Sequence, residues 1–582
     1  MNRKRNHLHK LIALVGFAYI WGCEAPGLLE STFSKPVQQV DLDRVAQMPN
    51  APEPYQSEDW YQKARDLDAY LYDTTTSGPY QPFVWTDHAE RNFPEVAYGL
   101  YTAVGDVRQG PDKNNGEAHE AICMLGSING STLVGIDKSN QDGRNYVSAT
   151  RNYFNRANGW NIIMNFTNKS AHVGGGYGND FWYDVFNNVL FYAVAYHYPE
   201  TPGFRELQRT IADQFYKADS VMGNNYSYSY FDFGQMQPGT NHIPPQEDAA
   251  AGFAYLLYNA YIKYGDDRYL EAAKHALSVI YSQKDSRFWE ILMPFGAYTA
   301  ARMNAEEGMD YDPTILLDWT FDGTATNREG WGVVNGHWGN YDAYGLVGST
   351  IDRGGYGFLM NTFDLAWPLV PLVRYDQRYA HTVGKWLLNA SNAARLCYAY
   401  NIPDSLQAVP DHKAITKNLI GYEGLIHHST YPGLEGKTPI AQGDGPLWAP
   451  GNPPETMFSI YGSSHVGVYG AIIRATNVEK ILQLNCLATD LYPKGKAYPT
   501  FLYYNPYEEA KEITLAVGSQ PVDVYDAVRR KIIISQATVS TSVTLDPDAA
   551  AVLVLIPAGA KLTQEGHRLL ADGVVIDYRF GE

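Results

Sequence analysis

Between residues 329 and 361 the chain sets His337, Trp338, Tyr341, Asp342, Tyr344, Arg353 and Tyr356 on a glycine-rich stretch. Acid–base side chains on a backbone that bends freely and lets a ligand come close suit the floor of a binding cleft. Other loops carry similar sets: Asn165, His172, Tyr177, Asp180 and Trp182; His242, Glu247 and Asp248; His427, His428 and Tyr431; Tyr461, Ser463, Ser464 and His465. Two chemistries fit this inventory. Elimination beside a uronic carboxylate needs an Arg, Asn or His to neutralise the enolate, a Tyr or His base, and a Tyr acid for the leaving oxygen. Hydrolysis of a glycosidic bond needs two opposed carboxyls, one of them protonated. Asp180, Glu247, Asp248, Asp342, Asp352 and Glu423 are the carboxyls available for it. Some have plainer readings, since Asp180 would serve as a helix N-cap and Glu247 and Asp248 would suit the positive end of a helix dipole.

The composition narrows the partners. A net charge of −18, with no basic stripe, repels a phosphate backbone and argues against nucleic acid. The chain has 45 tyrosines and 12 tryptophans, flat faces with a polar tip that stack on sugar rings and bond their hydroxyls. No H-x-x-x-H, H-E-x-x-H or G-x-S-x-G pattern is present, so neither zinc nor a serine-hydrolase elbow is indicated, and no cofactor is expected. Asn165, Asp180, Trp182, His242, Glu247, Trp338, Tyr356 and Tyr461 are the expected substrate contacts.

The positioning elements follow from periodicity. Residues 57–71 read as an amphipathic helix capped by Ser57, and 180–199 as a broadly apolar helix followed by a partner after Pro202. Pro244 and Pro245 open a helix that ends at Gly265. The hairpin start Asp266-Asp267-Arg268-Tyr269 recurs as Asp376-Gln377-Arg378-Tyr379, each between an aromatic helix and an Ala/Leu-rich one. Repeated helix pairs that cannot bury their faces alone stack around an axis. From Tyr498 short β-branched runs separated by turns predict a small antiparallel β-sandwich, read as structural support.

At the start, Arg3, Lys4, Arg5 and Lys10 precede the short apolar run 11–20, the pattern of a signal peptide over residues 1–22. Ile20-Trp21-Gly22-Cys23 resembles a bacterial lipobox, which implies lipidation at Cys23, a tether over 23–54 and membrane anchoring of an exported protein. Cys123, Cys397 and Cys486 are too few and too dispersed for a disulfide framework, so buried thiols are expected, with one bridged pair the alternative.

The lipoprotein start, the helix pairs and the β-rich end together resemble the (α/α)-toroid carbohydrate-active enzymes of glycan-utilising bacteria, both polysaccharide lyases and glycoside hydrolases. The resemblance implies a mainly α chain: an (α/α)6-like toroid over 55–490 with its cleft at inner-helix ends, and a β domain over 491–582. It further implies a polysaccharide or oligosaccharide substrate. Its lyases suggest His337, Tyr344 and Arg353, beside Tyr341 and Asp342, as the catalytic set, with His172, Tyr177 and His465 as helpers. β-Elimination or dehydration of a uronyl glycan is thus the first expectation, with hydrolysis by a carboxyl pair and non-catalytic glycan binding as alternatives.

Overall fold

The computed structural model describes residues 35–582 except 90, 111–119, 166, 168–179, 325–329 and 449. Twelve of its helices carry the architecture: α1 Trp60–Leu71, α2 Glu120–Leu133, α3 Phe181–His197, α4 Phe204–Met222, α5 Ala249–Tyr264 and α6 Asp267–Tyr281. The series continues with α7 Met293–Glu307, α8 Pro313–Phe321, α9 Leu359–Tyr375, α10 Ala380–Ala394, α11 Ile460–Ser464 and α12 Gly467–Ile472. Helices α2, α3, α5, α7 and α9 pack each on the next, and the α11–α12 pair closes the ring between α9 and α2. Five others lie outside: α1 against α12, α4 against α3 and α5, α6 against α5, α8 against α7, and α10 against α9. This is a six-membered α/α toroid.

The sequence explains the division. Inner helices such as α5, AAAGFAYLLYNAYIKY, are buried from Ala249 to Ala260, whereas outer α6 buries only one face through Tyr269, Leu270, Ala273, Ala276 and Ile280. The recurring Asp-x-Arg-Tyr start has one purpose in both copies. Asp266 accepts the Arg268 N–H and grips its guanidinium at 3.1 and 2.8 Å, and Asp376 does the same for Arg378 at 2.9 and 2.6 Å. Helix α1 starts one turn fraction later than its sequence suggests, because Asp59 rather than Ser57 accepts the Gln62 N–H.

A five-stranded antiparallel sheet covers one rim, in the order β5-β4-β3-β2-β1, from β1 Trp331–Val333, β2 Val347–Ser349, β3 Tyr356–Phe358, β4 Gly424–Ile426 and β5 Ile440–Gln442. Gly332, Gly348 and Gly357 of the 329–361 stretch lie in this sheet. A Cβ at Gly348 would stand 2.1 Å from the Tyr356 carbonyl oxygen, so bare backbone lets β2 and β3 pair beneath the packed side chains.

The β region begins earlier than residue 491. β6 Ile473–Ala475 and β7 Leu482–Asn485 join β8 Thr500–Asn505, β9 Lys511–Asp526, β10 Lys531–Leu545 and β11 Ala549–Pro557 in an antiparallel sheet ordered β6-β7-β8-β11-β9-β10. A second sheet follows with β12 Leu562–Glu565, β13 Arg568–Ala571 and β14 Val574–Asp577. Strands β8 and β11 pack on α10, consistent with support of the toroid. The described part of the expected tether is not free chain: Val37 donates to the Val528 carbonyl and Val40 to that of Arg378, and Leu42, Val45 and Met48 are buried. Cys397 and Cys486 are buried and free, and Cys123 is buried. Cys23 lies outside the described residues, and among those described no helix is long and apolar enough to cross a membrane.

Candidate active site

The chain entering α3, α5, α7, α9 and α11 converges on one rim of the ring, around a cavity of about 340 Å³. Helix N-termini present unpaired N–H groups and positive potential. Carboxylates gather there to match: Asp106, Asp180, Glu290, Glu423 and Asp444 all line the cavity, among aromatic walls from Trp182, Tyr183, Trp289 and Phe358.

Glu423 is held by three donors. One carboxylate oxygen accepts the Tyr461 hydroxyl at 2.6 Å; the other accepts the Tyr356 hydroxyl at 2.9 Å and the Asp444 N–H at 2.7 Å. Three donors converging on one carboxylate fix its position and suit an acceptor role. Burial, and then the Glu423 charge, pushes both phenols far above the usual tyrosine range, so they remain donors. The Glu423 carbonyl also accepts the N–H of Leu359, the first residue of α9.

Glu290 flanks the same helix start from the other side. Its carboxylate accepts the Asn361 amide at 3.0 Å, and its carbonyl accepts the same group at 2.9 Å. Its φ of 60° lies in the left-handed region, a strained backbone for a glutamate and one that clusters at functional sites. Behind it, the fully buried Asp248 accepts the Trp289 N–H at 2.8 Å. Burial raises the Asp248 carboxyl far above the carboxylate range, the N–H bond opposes this, and the charges of Glu247 and Glu290 add to it.

Asp180 stands at the N-cap of α3 but does not cap it with its side chain. Its carboxylate instead accepts the Gln246 amide at 2.6 Å, and the Gln246 carbonyl takes the Trp182 N–H at 2.8 Å. One glutamine thus ties the α3 and α5 ends together. Burial and then the charges of Asp180 and Asp232 push Asp184, one turn below, far above the carboxylate range.

The sequence-derived residues divide. Asp180, Trp182, His242, Tyr461 and Glu423 line the cavity, and Tyr356 reaches it through Glu423. Glu247 sits behind the wall, accepting the Ser227 hydroxyl at 2.9 Å. Asn165 is buried elsewhere and holds the start of α2, taking the Ala121 and Ile122 N–H groups on its carbonyl and amide oxygens at 3.1 and 3.2 Å. His465 is a core residue, 1% exposed, with Nδ1 2.6 Å from Asp364 and Nε2 3.1 Å from the Ile122 carbonyl. His172 and Tyr177 lie outside the described residues.

The central set does not line the cavity: His337 and Tyr341 sit on a separate two-residue hairpin, and Arg353 lies in the turn between β2 and β3. His337 pairs with Asp342 at 2.5 Å, across a two-residue hairpin that pairs Trp338 with Tyr341. Trp338 stacks on His427 at 5.1 Å. Arg353 pairs with the neighbouring Asp352 at 3.3 Å, and Tyr344 is half-buried. Glu290, Trp289, Asn361 and Asp444 escaped the sequence reading. The signal for the first two is a Trp-Glu pair ending the loop before a helix with Pro294 in its first turn.

No family model matches the chain, and no curated protein matches it. Solved structures that resemble it include an unsaturated glucuronyl hydrolase from Streptococcus agalactiae, with 12% identity, 79% of this chain and 99% of that one covered, and a TM-score of 0.40. A β-arabinofuranosidase resembles it at 11% identity over 91% of this chain and 84% of that one, TM-score 0.38. A β-L-arabinofuranosidase from Geobacillus stearothermophilus resembles it at 10% identity over 90% and 81%, TM-score 0.27. The chemistry of the site therefore rests on its own residues.

Proposed function

We propose that the chain is a glycan-degrading enzyme that hydrolyses a glycosidic bond held in the inner-helix cavity. A sugar ring stacks on the aromatic walls, with Glu290 and Glu423 on either side of the α9 N-terminus. Glu290, whose neighbour Asp248 is a buried carboxyl, gives its proton to the glycosidic oxygen as the bond to the anomeric carbon breaks. Water adds at that carbon and passes its proton to Glu423, which Tyr356, Tyr461 and the Asp444 N–H hold as an acceptor. The grip of three donors on Glu423, inside a cavity rich in carboxyls, is the observation that carries this reading.

Elimination is less well served. Among the described lining residues the one arginine, Arg108, is occupied by both oxygens of Asp106, at 2.9 and 2.6 Å, and the Asn361 amide by Glu290, which leaves His242 and Asn452 to meet a uronic carboxylate. We also propose that the enzyme is exported and anchored through a lipid on Cys23, on the strength of the basic, apolar and Gly22-Cys23 pattern at its start.

Products separate the two chemistries. In heavy-oxygen water, oligosaccharide cleavage should put the label on the new reducing end with no gain in ultraviolet absorbance from an unsaturated uronyl end. Label-free cleavage of a saturated uronic substrate with a gain in that absorbance would overturn hydrolysis.

A further inference from the structure

The toroid has a second, larger cavity of about 940 Å³ at the opposite rim, where the C-terminal ends of α7 and α9 meet the small β12–β14 sheet. Helix α7 joins the two cavities: Trp289 and Glu290 precede its start, Asn304 and Glu306 lie in its last turn, and its 15 residues set the sites about 22 Å apart at 1.5 Å per residue.

Glu306 forms part of the second cavity's wall, with its side chain 2% exposed. One carboxylate oxygen accepts the Tyr258 hydroxyl at 2.8 Å and the Arg302 Nε–H at 2.9 Å; the other is buried with no hydrogen-bond partner. A buried acceptor in the wall of a roomy cavity calls for a donor. The arginines around it are already matched: Arg378 to Asp376 at 2.6 Å, Arg568 to Glu565 at 3.5 Å, and Arg579 to Asp376 at 3.6 Å and to Glu582. No group of three potential metal ligands exists among the described residues. With its arginines paired and further carboxylates at Asp310 and Asp312, the lining disfavours an anion and suits hydroxyls. It also offers ring surface, from Tyr578 and from Tyr311, whose other face is stacked on Tyr281 with centroids 5.5 Å apart and planes 11° apart.

We propose that this cavity is a second saccharide-binding site, for a stretch of a neutral polysaccharide, remote from the catalytic cavity and independent of the chemistry performed there. Hydroxyls of the sugar donate to Glu306 and accept from the arginines, while a ring lies on Tyr311.

Affinity electrophoresis of the full chain through gels containing xylan, mannan, arabinan or mixed-linkage β-glucan tests it. Retardation should occur in at least one gel, persist in Glu423→Gln, and fall several-fold in Tyr311→Ala and in Arg568→Ser. Turnover of a small soluble glycoside by these last two variants should match the parent. Should Tyr311→Ala lower the unfolding midpoint, Arg568→Ser, whose parent side chain is 40% exposed, decides alone. Absence of retardation in every gel, or retardation that survives the deciding variants, would overturn the proposal.

Discussion

Replacing His465 by leucine would strip the imidazole partner from Asp364, a carboxylate with 0% exposure on the inner face of α9. The pair is the hub of the ring. It joins α9 to α11 at 2.6 Å, while the other ring nitrogen reaches α2 at the Ile122 carbonyl and Phe186 of α3 stacks 6.2 Å away. Gly126 leaves the space: a Cβ there would stand 2.0 Å from His465 Nε2. Breaking a buried pair from one side costs about 3–5 kcal/mol, because the remaining charge is uncompensated. Burial already raises the Asp364 pKa, and His465 opposes that rise through its charge and hydrogen bond. Without His465 the folded state binds the Asp364 proton still more tightly than the unfolded state does. Stability lost in the variant is therefore greatest at high pH and recovers as pH falls, by up to about 1.4 kcal/mol per unit over the range where Asp364 is protonated in the folded state and ionised in the unfolded one. Urea unfolding followed by tryptophan fluorescence at pH 7 and pH 5 measures both effects. The double variant His465→Leu/Asp364→Leu should recover most of the loss, since an apolar pair carries no buried charge. A cost below about 1 kcal/mol at pH 7, or one equal at both pH values, would refute this account of the hub.

Asp526 and Asp577, buried in the β sheets, are both pushed up to about 6, chiefly by desolvation. Their folded pKa exceeds the unfolded value, so stability should fall as pH rises from about 4 to 6, by roughly 3 kcal/mol per group. Asp526→Asn keeps the acceptor for the Val528 and Arg529 N–H groups and should flatten that part of the profile; an unchanged slope would count against the assignment. Cys23→Ser should move the expressed protein from the membrane fraction to the soluble one and abolish labelling by a fatty-acid probe, whereas continued labelling would exclude this cysteine as the anchor.

The helical hairpins were legible because the information is local. Apolar period, caps such as Asp266 and stops such as Gly265 each act within a few residues. The β strands after 498 were legible for the same reason, while β6 and β7, which pair with each other as a hairpin, were missed because strands of three and four residues are too short to show a period. The cavity was only partly legible. Glu423 stood among the carboxyls named from sequence, but its significance comes from Tyr356, Tyr461 and the Asp444 N–H, contributed by three other segments. Glu290 carries its signal in a backbone angle and in Asn361, 71 residues away. The glycines around His337 and Tyr344 are ambiguous in sequence because two demands select glycine alike, approach of a ligand and approach of another strand. Gly348 meets the second.

The central claim is that carboxyls at the inner-helix ends, rather than the His337–Tyr344–Arg353 set, carry the chemistry. The direct test is turnover of one hydrolysed oligosaccharide by Glu290→Gln, Glu423→Gln, His337→Ala and Tyr344→Phe, compared at equal unfolding midpoints. The account predicts losses of about 10²–10⁴-fold in kcat for the two glutamate variants and rates within a few-fold of the parent for the other two. Active glutamate variants beside silent His337 and Tyr344 variants would contradict it.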